Sequence, residues 1–123
     1  MISMLTTDRV CYLCDLSSAV LQAWLREGGI TPAHQGTKGR NSGHRFSTKQ
    51  VLGLAVASGI RSALGCSAIK AGEIVREFEG VPDESLSAML DFSPLEEMKV
   101  TNVAAVAAEV NRRLENVRKV LKV

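Results

Sequence analysis

The chain has 123 residues, a net charge of +2 and a composition that is 46% hydrophobic but only 4% aromatic. These values predict one domain, or one small domain plus an appended element, with an aliphatic core, and they exclude a disordered chain. Its apolar runs fall short of the roughly 20 residues that span a bilayer, and the first five residues are too short and too poor in positive charge for a signal peptide. Three cysteines, an odd number, argue against a disulfide scaffold, so we expect a cytoplasmic protein.

Two short helices are predicted at the N-terminal end. Thr6-Thr7-Asp8 is typical of a helix start, with hydroxyl caps and an acid in the first turn. Asp15-Leu16-Ser17 interrupts this helix, and Ser17 can cap a second one that runs to about Glu27. Two short helices joined by about three residues have the outline of a helix-turn-helix.

The segment from Ala33 to Phe46, called the basic loop below, is rich in glycine and contains no acid. Such a loop can turn sharply and lie along a polyanion. Its cationic side chains are Lys38, Arg40 and Arg45, joined by the histidines His34 and His44. A guanidinium can clamp a phosphate with two hydrogen bonds, which makes Arg45 the first candidate, while Lys38 and Arg40 would add attraction that does not depend on sequence. The alternative is a solvated loop whose charges only maintain solubility.

Two further helices follow the basic loop. Ser47 and Gln50 have the spacing of a capping box, and the strongly apolar helix that they open, about 48–63, is predicted to be the central core helix. Gly65 ends it and Ser67 caps another helix, about 68–79. Four apolar residues of that helix are expected to face inward: Ile69, Ile74, Val75 and Phe78.

The C-terminal part is predicted to be a separate unit, 81–123, following a first domain over 1–80. Residues 76–99 carry seven acids against two basic residues, and 83–92 could form a short acidic helix. Ser93-Pro94 is a strong helix start, and a helix over 94–122 would be roughly 43 Å long. Its apolar seam has heptad spacing and comprises Val100, Val103, Ala107, Val110, Leu114, Val117 and Leu121. We expect the last six to form a dimerisation surface; the alternative is a helix folded back on its own N-terminal block.

In order and spacing, the segment from Thr6 to Val75 resembles the DNA-binding domain of MerR-type regulators. The matching segments are Leu5–Val10 for the first helix, Leu16–Arg26 for the turn and recognition helix, Ile30-Thr-Pro32 for the exit, and Gly43–Ser47 for the return strand of the wing. The resemblance implies a mainly α winged helix-turn-helix with a small β-ribbon wing, followed by a long C-terminal dimerisation helix. The C-terminal part contains no recognisable ligand-binding domain, so the resemblance does not identify a small-molecule effector.

On the second helix, the positions not claimed by the core include Ser18, Gln22 and Arg26. Gln22 can pair with adenine through two hydrogen bonds, and Ser18 can bond several base edges or a phosphate. Arg26, near the end of the helix, is better placed for the backbone. The alternative is that all three are ordinary solvent-facing residues.

Trp24 and the Cys11-Tyr-Leu-Cys14 motif are better explained by packing than by chemistry. Trp24 shares an apolar stripe with Val20 and Leu21, which favours packing between helix and wing over stacking on nucleic acid. The C-x-x-C spacing suits half of a zinc site, but two further ligands are not evident, so core cysteines are favoured over metal binding or redox sensing. We expect no metal, no cofactor and no catalysis.

The sequence therefore predicts a dimeric protein that binds a pseudo-palindromic site on double-stranded DNA and regulates transcription. The first alternative is an architectural or assembly protein, such as a phage or recombination accessory factor, that works through its heptad helix. The second is a thiol-based metal or redox sensor.

Overall fold

The computed structural model describes residues 4–34, 44–82, 84 and 101–121; within the last range, side chains are described at 106 and at 108–120. The fold is mainly helical, with one small antiparallel sheet. Its elements, in chain order, are β1 (Leu5–Thr6), α1 (Thr7–Cys14), α2 (Ser18–Glu27), β2 (Arg45–Phe46), α3 (Thr48–Leu64), α4 (Ala68–Glu79) and α5 (Thr101–Leu121). None of the described helices is long and apolar enough to cross a bilayer.

The four helix starts predicted within the described residues are all confirmed, and three of them have the expected hydroxyl cap. The hydroxyls of Ser17, Ser47 and Ser67 each accept a hydrogen bond from the backbone N–H three residues on, and Ser47 forms the predicted capping box with Gln50. At α1 the expected hydroxyl cap is wrong, because the Thr6 side chain makes no capping bond. Thr6 instead belongs to a strand.

The sheet pairs the start of the chain with the end of the basic loop. Leu5 lies opposite Phe46 and Thr6 opposite Arg45. Phe46 is fully buried, so the apolar member of β2 anchors the sheet to the core. The sequence interpretation had placed Leu5 in the first helix.

The predicted role of α3 as the central core helix is confirmed. Residues 50–59 are all buried, and α1, α4 and α5 all pack against α3. Val10, Leu13 and Cys14 contribute the inner face of α1 to the same core.

α4 packs against α2 at a very close crossing, and this corrects one predicted core residue. A Cβ at Gly72 would collide with the carbonyl of Gly28, so the two backbones meet without side chains between them. The inner face of α4 consequently runs through Ala71, Gly72, Val75 and Phe78. A helix turns by about 100° per residue, so Ile69, two residues before Ala71, lies roughly 160° around the helix from it. Ile69 is accordingly 64% exposed.

α5 lies along α3 inside the same chain, which corrects the predicted dimer seam. Val110, Leu114 and Val117 are at most 2% exposed and belong to the same core cluster as Leu54. A side chain buried in its own chain cannot also pack against a second copy, so these three residues form an intramolecular interface. The side chains of Val103, Ala107 and Leu121, and the acidic segment 85–100, lie outside the described residues.

Candidate nucleic-acid interface

α2 presents the polar face that the sequence predicts. Ser18, Gln22 and Arg26 are all exposed, while Leu21 and Trp24 on the opposite face are buried. Gln22 Nε2 donates to Ser18 Oγ at 3.1 Å, so the two candidate base-reading side chains lie together. Arg26 is 3.4 Å from Glu27, with both side chains mostly exposed, a geometry that contributes little to stability and leaves the guanidinium free to exchange partners.

Both ends of α2 are hydrogen-bonded, the first by its own cap and the second by a residue of α4. At the N-terminal end Ser17 caps the helix, with its Oγ 3.2 Å from the amide of Val20. At the C-terminal end Arg76 of α4 donates to the carbonyl of Gly28 at 3.1 Å, which satisfies a carbonyl that the helix leaves unpaired. The polar face of α2 is therefore carried on a helix that is capped at its N-terminus and bonded to α4 at its C-terminus.

The two ends of the basic loop are bonded to each other. His34 and Arg45 exchange two backbone hydrogen bonds, of 3.0 and 2.8 Å, so Arg45 is bridged by His34 on one side and by Thr6 of β1 on the other. The prediction that Arg45 lies on a returning strand is thus confirmed, and its side chain is exposed. His44 is half-buried. Lys38 and Arg40 lie outside the described residues.

Gln50 closes the base of the basic loop. Its Oε1 accepts from the amides of Ala33 and Ser47, at 3.0 and 3.1 Å, and its Nε2 donates to the carbonyl of Thr31 at 2.6 Å and to Glu79 at 2.9 Å. The side chain is 1% exposed. One buried amide therefore joins the chain before the loop, the chain after it and the end of α4. The capping-box spacing identified Gln50 as a local cap, but no local signal revealed these three distant partners.

A buried arginine of α5 reaches the turn between α1 and α2. Arg113 Nε donates to the carbonyl of Cys14 at 3.0 Å, and Nη2 donates to the Asp15 carboxylate at 3.2 Å. Nη1 donates to the Glu109 carboxylate at 2.6 Å. The hydrogen bonds from Arg113 and from the neighbouring Arg112 lower the pKa of Glu109 to about 2. Arg113 could not be recognised from the sequence, because a basic residue beside the seam residue Leu114 is typical of a solvent-exposed position.

The cysteines are free thiols, and Cys14 is a core residue as predicted. Cys14 is fully buried and its Sγ donates weakly to the carbonyl of Val51, at 3.8 Å. Burial, with a smaller effect of Cys11, raises its pKa to about 12. Burial also raises the pKa of the half-buried thiols of Cys11 and Cys66. Within the described ranges, no three His, Cys, Asp or Glu residues are grouped in a way that could hold a metal ion.

Trp24 is 3% exposed and lies in the common core, so its packing is confirmed, whereas the wing as its predicted partner is not. Its helix packs mainly against α4.

No protein-family model matches the chain, and comparison with curated proteins and with solved structures gives no match either.

Proposed function

We propose that this chain binds double-stranded DNA as a winged helix-turn-helix, with α2 in the major groove and the basic loop on the phosphate backbone. The observation that carries the proposal is the polar face of α2: Ser18, Gln22 and Arg26 are exposed on a helix that is capped at one end and bonded to α4 at the other. Base readout requires donors and acceptors held in register with the groove. A helix with this construction supplies them.

The basic loop supports the same proposal through its charge and its anchoring. It carries three Lys/Arg and no acid, and its base is held by the backbone pairing of His34 with Arg45 and by the Gln50 side chain. In the proposed complex Arg45 contacts a phosphate, and Lys38 and Arg40 add counterion release. The loop thus supplies affinity, and α2 supplies sequence preference.

Dimeric binding and transcriptional regulation are further parts of the proposal, and they derive from the resemblance to MerR-type regulators. Val110, Leu114 and Val117 do not support the dimer, because they are buried inside the chain. The same burial removes the main argument for an assembly protein that works through its heptad helix. The buried Cys14, with its raised pKa, likewise favours a packing role over thiol sensing.

Selection of bound sequences from random double-stranded DNA tests the proposal. We expect an enriched motif, and we expect Gln22→Ala to relax one position of that motif while Arg45→Ala weakens binding to all sequences alike. Two half-sites about one helical turn apart would indicate two copies on the DNA, and a single half-site would indicate one. Failure to enrich any sequence would refute base readout by α2.

A further inference from the structure

Arg113 is the most deeply buried charged side chain among the described residues, at 2% exposure, and its contacts converge on the turn between α1 and α2. Its donors reach the carbonyl of Cys14 and the carboxylate of Asp15, which lie about 100 positions earlier in the chain. Ser58 of α3 completes the cluster: its hydroxyl accepts from Arg113 Nε at 2.9 Å and donates to the same Cys14 carbonyl.

This turn sets the angle between α1 and α2. Asp15 has a φ of 57°, a left-handed conformation that is unfavourable for residues other than glycine. The amide of Leu16 returns to the carbonyl of Cys11 at 2.9 Å, and α2 begins two residues later, at Ser18. The conformation of three residues, 15–17, therefore fixes the direction in which α2 leaves α1. Arg113 of α5 bonds this turn at the Cys14 carbonyl and at the Asp15 carboxylate.

A buried arginine is a costly way to join two helices. Removal of its charge from water is unfavourable, and apolar residues of similar size usually stabilise a core at least as well. The charge is offset by Asp15 and Glu109, whose carboxylates lie 3.2 and 2.6 Å away. The guanidinium provides directional hydrogen bonds to one carbonyl and one carboxylate at the turn, and an apolar side chain would provide none.

We propose that Arg113 is a positioning residue for DNA binding, which fixes the orientation of α2 from α5. The inference rests on the proposed DNA-binding function. DNA affinity then depends on the docking of α5, although α5 supplies none of the proposed DNA contacts. By linkage, DNA binding must also strengthen the docking of α5 against the turn.

The test compares Arg113→Gln with Arg112→Gln. Both variants lose one positive charge, and both arginines contact Asp15 and Glu109, but the Arg112 side chain is 52% exposed. Amide hydrogen exchange and DNA affinity are measured under conditions where every variant is folded. We expect Arg113→Gln to speed exchange at Leu16 and in the first turn of α2 roughly tenfold or more, with α3 unchanged, and to weaken DNA binding by a similar factor. Arg112→Gln should change either quantity less than about twofold.

A second variant keeps the proposal testable if Arg113→Gln does not fold. Ser58→Ala removes one bond to the Cys14 carbonyl and leaves the charges in place, so it should shift exchange at Leu16 and DNA affinity in the same direction by a smaller factor. Exchange at Leu16 that is equal in Arg113→Gln and Arg112→Gln overturns the proposal. So does faster exchange with unchanged DNA affinity, a result that leaves the DNA-binding function intact. A wild-type chain that does not bind DNA overturns the proposed function, and this inference with it.

Discussion

Gly59→Ala tests whether α5 is docked on α3. A Cβ at Gly59 would lie 2.6 Å from Cα and 2.7 Å from the backbone nitrogen of Val110. Ordinary van der Waals contact begins at about 3.4 Å, and two of the three nearest atoms are backbone, so no rotamer change of Val110 removes the collision. The methyl group must push α5 away from α3 by roughly 1 Å, into a core packed to crystal-like density.

The expected sign depends on whether this packing exists. Insertion of a methyl group into a well-packed core costs about 1–3 kcal/mol, and alanine in a helix interior recovers up to about 1 kcal/mol relative to glycine. We therefore expect a net loss of about 1–2 kcal/mol and a fall in Tm of roughly 5–10 °C. If α5 did not lie against Gly59, only the helix preference would remain, and the substitution would raise stability.

Urea unfolding followed by Trp24 fluorescence and by circular dichroism measures this difference. Gly80→Ala is the matched control, because the nearest atoms to its added Cβ are 3.7 Å away and its φ is negative, so its stability should change by less than about 0.5 kcal/mol. A midpoint for Gly59→Ala equal to or above that of the wild type would refute the docking of α5 on α3.

The Glu109 carboxylate, the thiols and the buried Gln50 amide each give a further prediction. The pKa of Glu109 lies near 2, below its ordinary 4.5, so the stability that this carboxylate contributes is present above about pH 4.5 and is lost as the pH falls from 4.5 towards 2. Between pH 5 and pH 3, the free energy of unfolding should therefore fall less for Glu109→Gln than for the wild type. Equal falls would contradict the ion pair with Arg113. Because Cys14 is buried with a pKa near 12, a thiol reagent at pH 8 should label at most two of the three cysteines in the folded chain and all three in urea. Rapid labelling of Cys14 in the folded chain would contradict its place in the core. Gln50→Ala should lower the free energy of unfolding by about 1–3 kcal/mol, since it removes the four hydrogen bonds of a buried amide. Gln22→Ala, the same substitution at an exposed site, should cost under about 0.5 kcal/mol, and similar losses at both positions would refute the closure of the loop base.

Local sequence signals predicted the helices well. The three serine caps each depend on a residue and the amide three positions on, so the information lies within one turn. The buried face of α1 and the core character of α3 likewise follow from the spacing of apolar residues. The pairing of Leu5 with Phe46 is different: two residues carry no periodicity, and their partners are 41 positions away.

The C-terminal helix shows where periodicity stops being informative. The heptad spacing of Val110, Leu114 and Val117 indicates a buried face, but an apolar stripe does not identify the surface that covers it. In this fold that surface is α3, and Gly59 makes the close approach possible. The burial of Arg113 was equally unpredictable, because its partners Cys14, Asp15 and Ser58 meet it only after α5 has docked.

Titration of labelled duplex DNA at a series of salt concentrations tests the central claim most directly, with Arg45→Ala compared against Arg61→Ala. Both arginines are exposed, but Arg61 lies in the last turn of α3, about 20 Å along the helix from its start beside the basic loop. We predict saturable binding that weakens as salt rises, a loss of about tenfold for Arg45→Ala with a shallower salt dependence, and near wild-type binding for Arg61→Ala. An absence of saturable binding at low salt, or equal affinities for the two variants, would contradict the account.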